Sequence, residues 1–274
     1  MSKYRKRLPH LGDELFLTDG GLETTLIFHE GVELPYFAAF DLLKSNDGTE
    51  VLRRYFERYA RIAREQERGL LLETPTWRAN PDWGAKLGYD AATLTDANRR
   101  SVGLLLEVRE AFESRRTPIV ISGNLGPRGD GYVPGARMST DAARAYHAPQ
   151  VETFAGTDAD MVAAFTMNYP EEAIGIAQAA KDARMPVAIS FTTETDGRLP
   201  SGISLVDAIA WTDDETEGHP AYYMASSTPR NTDGTRTSIG WWPGSWGTSR
   251  RRSPRPAGGR GSRPWTADAQ AACS

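Results

Sequence analysis

The sequence predicts an α/β fold of the (β/α)8 barrel type, incomplete here with about six strands, followed by a disordered-looking C-terminal tail. Three observations predict it. Short apolar runs alternate with helical patterns as far as residue 224. Polar, glycine-rich segments follow nearly every run on its C-terminal side. The alternation stops after Met224 and does not resume. Strand then helix, repeated, means parallel strands joined by crossovers. A barrel gathers all the C-terminal strand ends around one mouth, whereas an open sheet uses mainly those at its switch point.

Taken in order, the expected strands are Glu14–Thr18, Leu70–Glu73, Pro118–Ser122, Met161–Phe165, Pro186–Phe191 and, as a sixth, Ala221–Met224. Residues Gly48–Glu67 carry Val51, Leu52, Tyr55, Phe56, Tyr59 and Ile62 at the three-to-four spacing of a helix face. Thr95–Phe112 repeats that pattern, with Asp96 as its expected cap and Val102, Leu105, Leu106 and Val108 as its stripe. Further helices are expected over Thr140–Phe154, Glu171–Ala183 and Ser204–Trp211, the last capped by Ser204.

The expected domain organisation is a partial barrel over residues 1–224 and a low-complexity Arg/Gly/Ser/Pro-rich tail over 225–274. Aliphatic Ile, Leu, Val and Met contribute only Ile239 to that tail, too little apolar surface to offset the entropy of ordering it. It holds eight Arg against Asp233 and Asp268, so a net charge of −4 divides into +6 for the tail and −10 for the body. An acidic body argues against nucleic acid as its main partner. No apolar run is long enough to span a membrane, and no apolar segment follows the basic N-terminus as a secretory signal would require. The single cysteine, Cys273, excludes an intrachain disulfide framework. A cytoplasmic location is expected.

At Leu17–Leu26 the sequence LTDGGLETTL resembles the opening of the homocysteine-binding barrel family, which includes homocysteine S-methyltransferases and betaine–homocysteine methyltransferases. The resemblance continues through ETPTWRANPDW (73–83), ISGNLGPRGDGY (121–132), ADMVAAFTMNYPEEAIGIAQAA (159–180) and ISFTTETDGRLPSG (189–202), ending at HPAYYM (219–224). Several blocks in the right order are specific where one alone would be weak. The resemblance implies a (β/α)8 barrel in which methyl is transferred from a sulfonium or betaine-type donor to the thiol of L-homocysteine, giving methionine. It also implies a zinc at the mouth, held by three cysteine thiolates: one after the sixth strand in an Asn-Cys-x-His-Pro-like motif, two in a Gly-Gly-Cys-Cys pair after the eighth. Zinc would remove the proton from a thiol of ordinary pKa near 8.5. This chain departs there. Ala225-Ser226-Ser227 follows AYYM, Ser227 falls where the first thiolate belongs, and no Cys-Cys pair exists. Serine is a poor zinc ligand, so zinc is not expected to be bound.

The expected substrate-binding residues are Asp19, Gly20, Gly21, Thr74, Asn124 and Glu194. Glycines after the first strand let backbone N–H groups approach a substrate carboxylate, with Asp19 lining the mouth; the plain alternative is a tight turn. Glu194 matches the family acid expected near the homocysteine ammonium, against a solvated loop acid. Thr74 and Thr76 either bond substrate or cap their loop. Gly123 and Gly126, beside Asn124, mark either a close approach of backbone to ligand or a rigid loop. Glu73 is either a strand-end acid or a partner of Arg78. Asp196 reads as turn chemistry. The four His (His10, His29, His147, His219) do not group at metal-ligand spacing and read as surface or helix residues.

The resulting functional expectation is a homocysteine S-methyltransferase-like protein, inactive as written for want of the zinc cysteines. The partners expected are small molecules, homocysteine and a methyl donor. Its rivals are a non-catalytic homocysteine-binding module, an unstable product of a disrupted gene in which residues 225–274 are translated out of frame, and a nucleic-acid binder acting through Arg250-Arg251-Arg252.

Overall fold

The structure is a computed structural model that describes residues 2–227. Most of the tail, and Cys273 with it, therefore lies outside the described residues. Six strands form one parallel sheet in sequential order: β1 (Phe16–Thr18), β2 (Gly69–Glu73), β3 (Ile119–Leu125), β4 (Met161–Met167), β5 (Val187–Thr193) and β6 (Tyr222–Ser227). The sheet curls into a partial barrel with its helices outside. All six expected strands are present. β6 runs three residues beyond the expected boundary at 224, with Ala225, Ser226 and Ser227 in register with Phe191, Thr192 and Thr193.

Alternate residues face opposite sides of the curl. Leu71, Val120, Met161, Ala163, Ala188 and Met224 point inward, joined by Phe16, Phe165 and Tyr222. Leu70, Leu72, Ile119, Ile121, Val162, Val187, Ile189 and Phe191 point outward under the helices. Burial on both faces explains why these strands read as continuous apolar runs without alternation.

The covering helices are α2 (Asn46–Glu65), α4 (Ala91–Phe112), α5 (Thr140–Ala155), α6 (Pro170–Asp182) and α7 (Leu205–Thr216), with two short helices, α1 (Leu22–Thr24) and α3 (Pro81–Lys86), on the strand-end side. α4 begins before the expected Asp96. Asp90 caps it instead, in a reciprocal box with Thr93 that satisfies two terminal N–H groups. Ser204 caps α7 as expected, but the helix continues to Thr216. α3 was not expected; its signal is Asn80-Pro81, a cap followed by proline at the first helical position.

The N-terminal segment closes the base of the barrel. Tyr4 N–H donates to Asp160 Oδ1 at 2.7 Å, and the Arg5 guanidinium donates to the carbonyls of Ala155, Thr157 and Ala159. Asp160 Oδ2 accepts from Arg109 at 2.7 Å and from Ile121 N–H at 3.0 Å. The His10 ring stands edge-on to both Phe16 of β1 and Tyr222 of β6, with centroids 5.8 and 5.5 Å away. One side chain thus touches the first and last strands of the sheet. Among the described residues no helix is long and apolar enough to cross a membrane.

Candidate active site

The curl leaves a cavity of about 1270 Å³ on its inner face, extending to the C-terminal strand ends. Asp19, Gly20, Gly21, Thr74 and Asn124 all line it. Glu194 lies just beyond the same end of β5, but is not among the lining residues. It is buried, its N–H donates to Arg198 O at 2.7 Å, and its own carbonyl accepts from Gly197.

Asp19 is held by its neighbours. Oδ1 accepts the Glu73 N–H at 3.1 Å, and Oδ2 lies 3.4 Å from the Tyr55 hydroxyl. The hydroxyls of Tyr55 and Tyr59, both on α2, reach the Gly20 carbonyl at 3.0 and 2.9 Å. The Asp-Gly-Gly turn is therefore oriented from outside the barrel. Gly21 adopts φ 66°, and a Cβ there would meet Thr24 Oγ1 at 2.8 Å. Glycine is required by this backbone.

Thr74 and Thr76 serve the scaffold. Their hydroxyls lie 2.6 Å apart; Thr74 Oγ1 accepts the Asn124 N–H at 2.8 Å, and Thr76 Oγ1 donates to the Asn124 carbonyl at 2.7 Å. They pin the end of β3 to the end of β2. The Asn124 Oδ1 remains without a hydrogen bond among the described residues. Gly123 and Gly126 are explained by packing: a Cβ would strike the Phe154 ring at 2.6 Å in the first case and the Trp77 carbonyl at 2.1 Å in the second.

Glu23 was not picked out by the sequence, and Glu73 was left open between two readings. Glu73 and Glu23 both face the cavity. Burial raises Asp19 to about 7 and Glu23 to about 7. Burial, then the adjacent Asp19 carboxylate, raises Glu73 to about 8, with the Ser122 hydroxyl pulling the other way. Arg78 does not pair with Glu73. Its guanidinium lies between the Trp77 and Trp83 rings, 3.9 Å from each centroid, and donates to Gly129 O at 2.9 Å. Burial lowers Arg78 to about 10, against the pull of Asp130 and Glu23. Asp130 folds its own loop by accepting from the N–H groups of Tyr132 and Val133. Thr166 ends the regular part of β4 at φ 60° beside a register shift, and accepts from Trp77 Nε1 at 3.0 Å. A non-glycine residue held there is a cost that packed surroundings impose.

The histidines make no metal site. His147 is a helix residue of α5, fully buried and bonded to Glu172 at 2.9 Å, while His10 is held neutral at about 4 by burial. Among the described residues no group of three or more His, Cys, Asp or Glu is placed to hold a metal ion. β6 ends in Ala225-Ser226-Ser227, so no thiolate stands at the strand end either. Among the described residues the donor set does not fit a thiolate-held zinc.

A sequence-family model described as Homocysteine S-methyltransferase matches residues 16–228. The fold is similar to crystal structures of the homocysteine methyltransferase MmuM from Escherichia coli. The oxidized form gives a TM-score of 0.68 at 24% identity, covering 80% of this chain and 75% of that one. The metallated form gives 0.64 at 22%, covering 82% and 77%, and the apo form 0.59 at 21%, covering 83% and 76%. No curated protein matches the chain.

Proposed function

The chain belongs to the homocysteine S-methyltransferase family, and from that premise we propose that its cavity receives L-homocysteine but does not complete methyl transfer. The observation that carries this reading is the division of the site. Asp19, Gly20, Gly21 and Asn124 line the cavity from the ends of β1 and β3. The end of β6 offers Ser227 where the family resemblance places the first zinc thiolate.

The lining supports a cationic and zwitterionic ligand class. Five carboxyl side chains (Glu14, Asp19, Glu23, Glu73, Asp130) face the space against one guanidinium, Arg78, which is committed to two indole faces and a carbonyl. Aromatic walls such as Trp77, Tyr132 and Phe165 suit a sulfonium or quaternary ammonium methyl donor, which is attracted to ring faces and can donate no conventional hydrogen bond. Among the described residues no set of thiolates stands to hold a metal that would ionise the substrate thiol. Its pKa near 8.5 leaves most of it protonated at neutral pH, and no described residue supplies the three thiolates that would hold a metal for that purpose.

The test is calorimetric titration of the full chain with L-homocysteine, alone and with zinc, beside a methionine-formation assay using S-methyl-L-methionine and betaine. Saturable binding that zinc leaves unchanged, with no methionine formed, is the expected result. Turnover with either donor would overturn the assignment of inactivity. Absence of binding by chain that circular dichroism shows to be folded would overturn the site.

A further inference from the structure

The cavity does not stop at the inner face of the curl. Among the described residues β1 pairs only with β2 and β6 only with β5, and the space passes between these two free edges. Leu17 and Tyr223, which face outward, line it together with Phe16 and Tyr222, which face inward. Beyond β1 it reaches Tyr59 and Ile62 of α2.

This cleft is apolar at its rim and acidic in its charge. On the β1 side Leu15 and Ile62 are 62% and 44% exposed. Five carboxyl side chains line the space, and its one guanidinium, Arg78, is already held by two indoles and the Gly129 carbonyl. On the β6 side α7 carries Asp207, Asp213, Asp214 and Glu215 with no Lys or Arg.

The shape of the cleft limits what can fill it. At the base the His10 ring alone spans the distance between Phe16 and Tyr222, with centroids 5.8 and 5.5 Å away. A sheet prolonged beyond β6 with the same curl meets β1 after about two strands, the number that closes an eight-stranded barrel. A single segment of chain fits such an opening, whereas the edge of a second folded copy does not. One segment starts beside it. β6 forms a wall of the cleft and ends at Ser227, from which residues 228–274 continue. They hold eight Arg and no Lys against Asp233 and Asp268, a net charge of +6, together with four Trp.

We propose that residues 228–274 dock back into the cleft between β1 and β6, arginines against its acids, so that the chain occludes its own cavity. A guanidinium brings five N–H donors in a fork that matches a carboxylate, and charge-assisted bonds of this kind are the strong ones. Indole rings suit apolar walls that also carry polar groups. A tethered segment acts at an effective concentration on the order of millimolar, so individually weak contacts suffice. Docking of this kind depends on the charge and shape of the cleft, not on which small molecule the cavity receives. A small cationic ligand then enters by displacing an arginine.

The experiment is timed trypsin cleavage after Arg250, Arg251 and Arg252 in the full chain, beside a synthetic peptide of residues 246–256. At low salt the full chain should be cut there roughly tenfold more slowly than the peptide, because cleavage tracks the undocked fraction. In about 1 M salt, where the screening length falls to about 3 Å, the two rates should converge. Glu14→Lys with Ile62→Lys, two exposed positions on the cleft, should bring the low-salt rate to that of the peptide. Glu110→Lys with Glu152→Lys, a larger charge change on exposed helix positions away from the cleft, should leave the protection in place. Cleavage as fast as the peptide at low salt would overturn the proposal. Protection that survives Glu14→Lys with Ile62→Lys would overturn the cleft as the docking place. Protection that grows with protein concentration would show the segment binding another copy, and would overturn docking within one chain.

Discussion

Replacing Glu73 by Gln should make the fold more stable, and more so as pH rises. Glu73 is raised from 4.5 to about 8, chiefly by burial and then by Asp19. The folded state therefore binds this proton more tightly than the unfolded chain. Stability from this group is fully present below pH 4.5 and is lost progressively as pH rises towards 8. At ~1.4 kcal/mol per pH unit the ceiling of that loss is roughly 5 kcal/mol. Asp19 shares the interaction, so part of this is not Glu73's alone, and a buried Gln amide with poor partners costs about 1–3 kcal/mol itself. The expected outcome is a gain of about 2 kcal/mol at pH 8.5 that shrinks to about zero, or reverses, at pH 5.5. Urea denaturation at both pH values measures it directly. A change in stability that is the same at both pH values would refute the reasoning, because only an ionisation can make it depend on pH.

Elemental analysis of the purified chain should find far less than one zinc per molecule, and Ser227→Cys alone should not change that, since a stable site needs further ligands; one tightly held zinc in the native chain would contradict the donor-set argument. Arg109→Ala should destabilise the fold by about 3–5 kcal/mol, the usual effect of stranding a buried partner, because Asp160 is fully buried and ties Tyr4 to Ile121. The melting temperature reads this, and unchanged stability would mean that the base is not held as described. Reading residues 225–274 as out-of-frame translation predicts that another forward frame after codon 224 encodes a Cys-x-His-Pro-like motif and then a Gly-Gly-Cys-Cys-like pair. If neither alternative frame does, the segment is genuine sequence.

The strands and main helices were legible because buried parallel strands and amphipathic helices leave strong patterns. Asp90 was passed over for Asp96 because both are good caps, and only the reciprocal bond with Thr93 distinguishes them. At the site, Asp19 and the two glycines could be read from the turn they share. Thr74 could not be separated from Thr76, since a hydroxyl bound to a neighbouring strand and one bound to a ligand have the same sequence. Gly123 and Gly126 illustrate the same limit. Each is required by a ring or carbonyl contributed from a distant segment. Glu73 was left undecided because its surroundings are made by β1, β3 and β6 together, and no local pattern carries them.

Three buried carboxyls in one cavity are a poor arrangement for stability alone. Asp19, Glu23 and Glu73 are each raised well above the ordinary carboxylate range, so at neutral pH the fold is less stable than one with uncharged residues in their places. Such clusters arise where a ligand will meet them. A cation binding the native state at a hundred times its Kd contributes ~2.7 kcal/mol, comparable to the net effect expected of Glu73. A cationic ligand meeting these acids should stabilise the chain more at pH 7 than at pH 6, because at pH 6 the proton competes for the same oxygens. L-homocysteine at fixed concentration should then raise the melting temperature by more at pH 7, and Glu73→Gln should abolish most of the difference. A larger shift at pH 6 would mean that the ligand binds the protonated acids. That would favour a hydrogen-bond acceptor, such as the substrate carboxylate, at this end of the cavity.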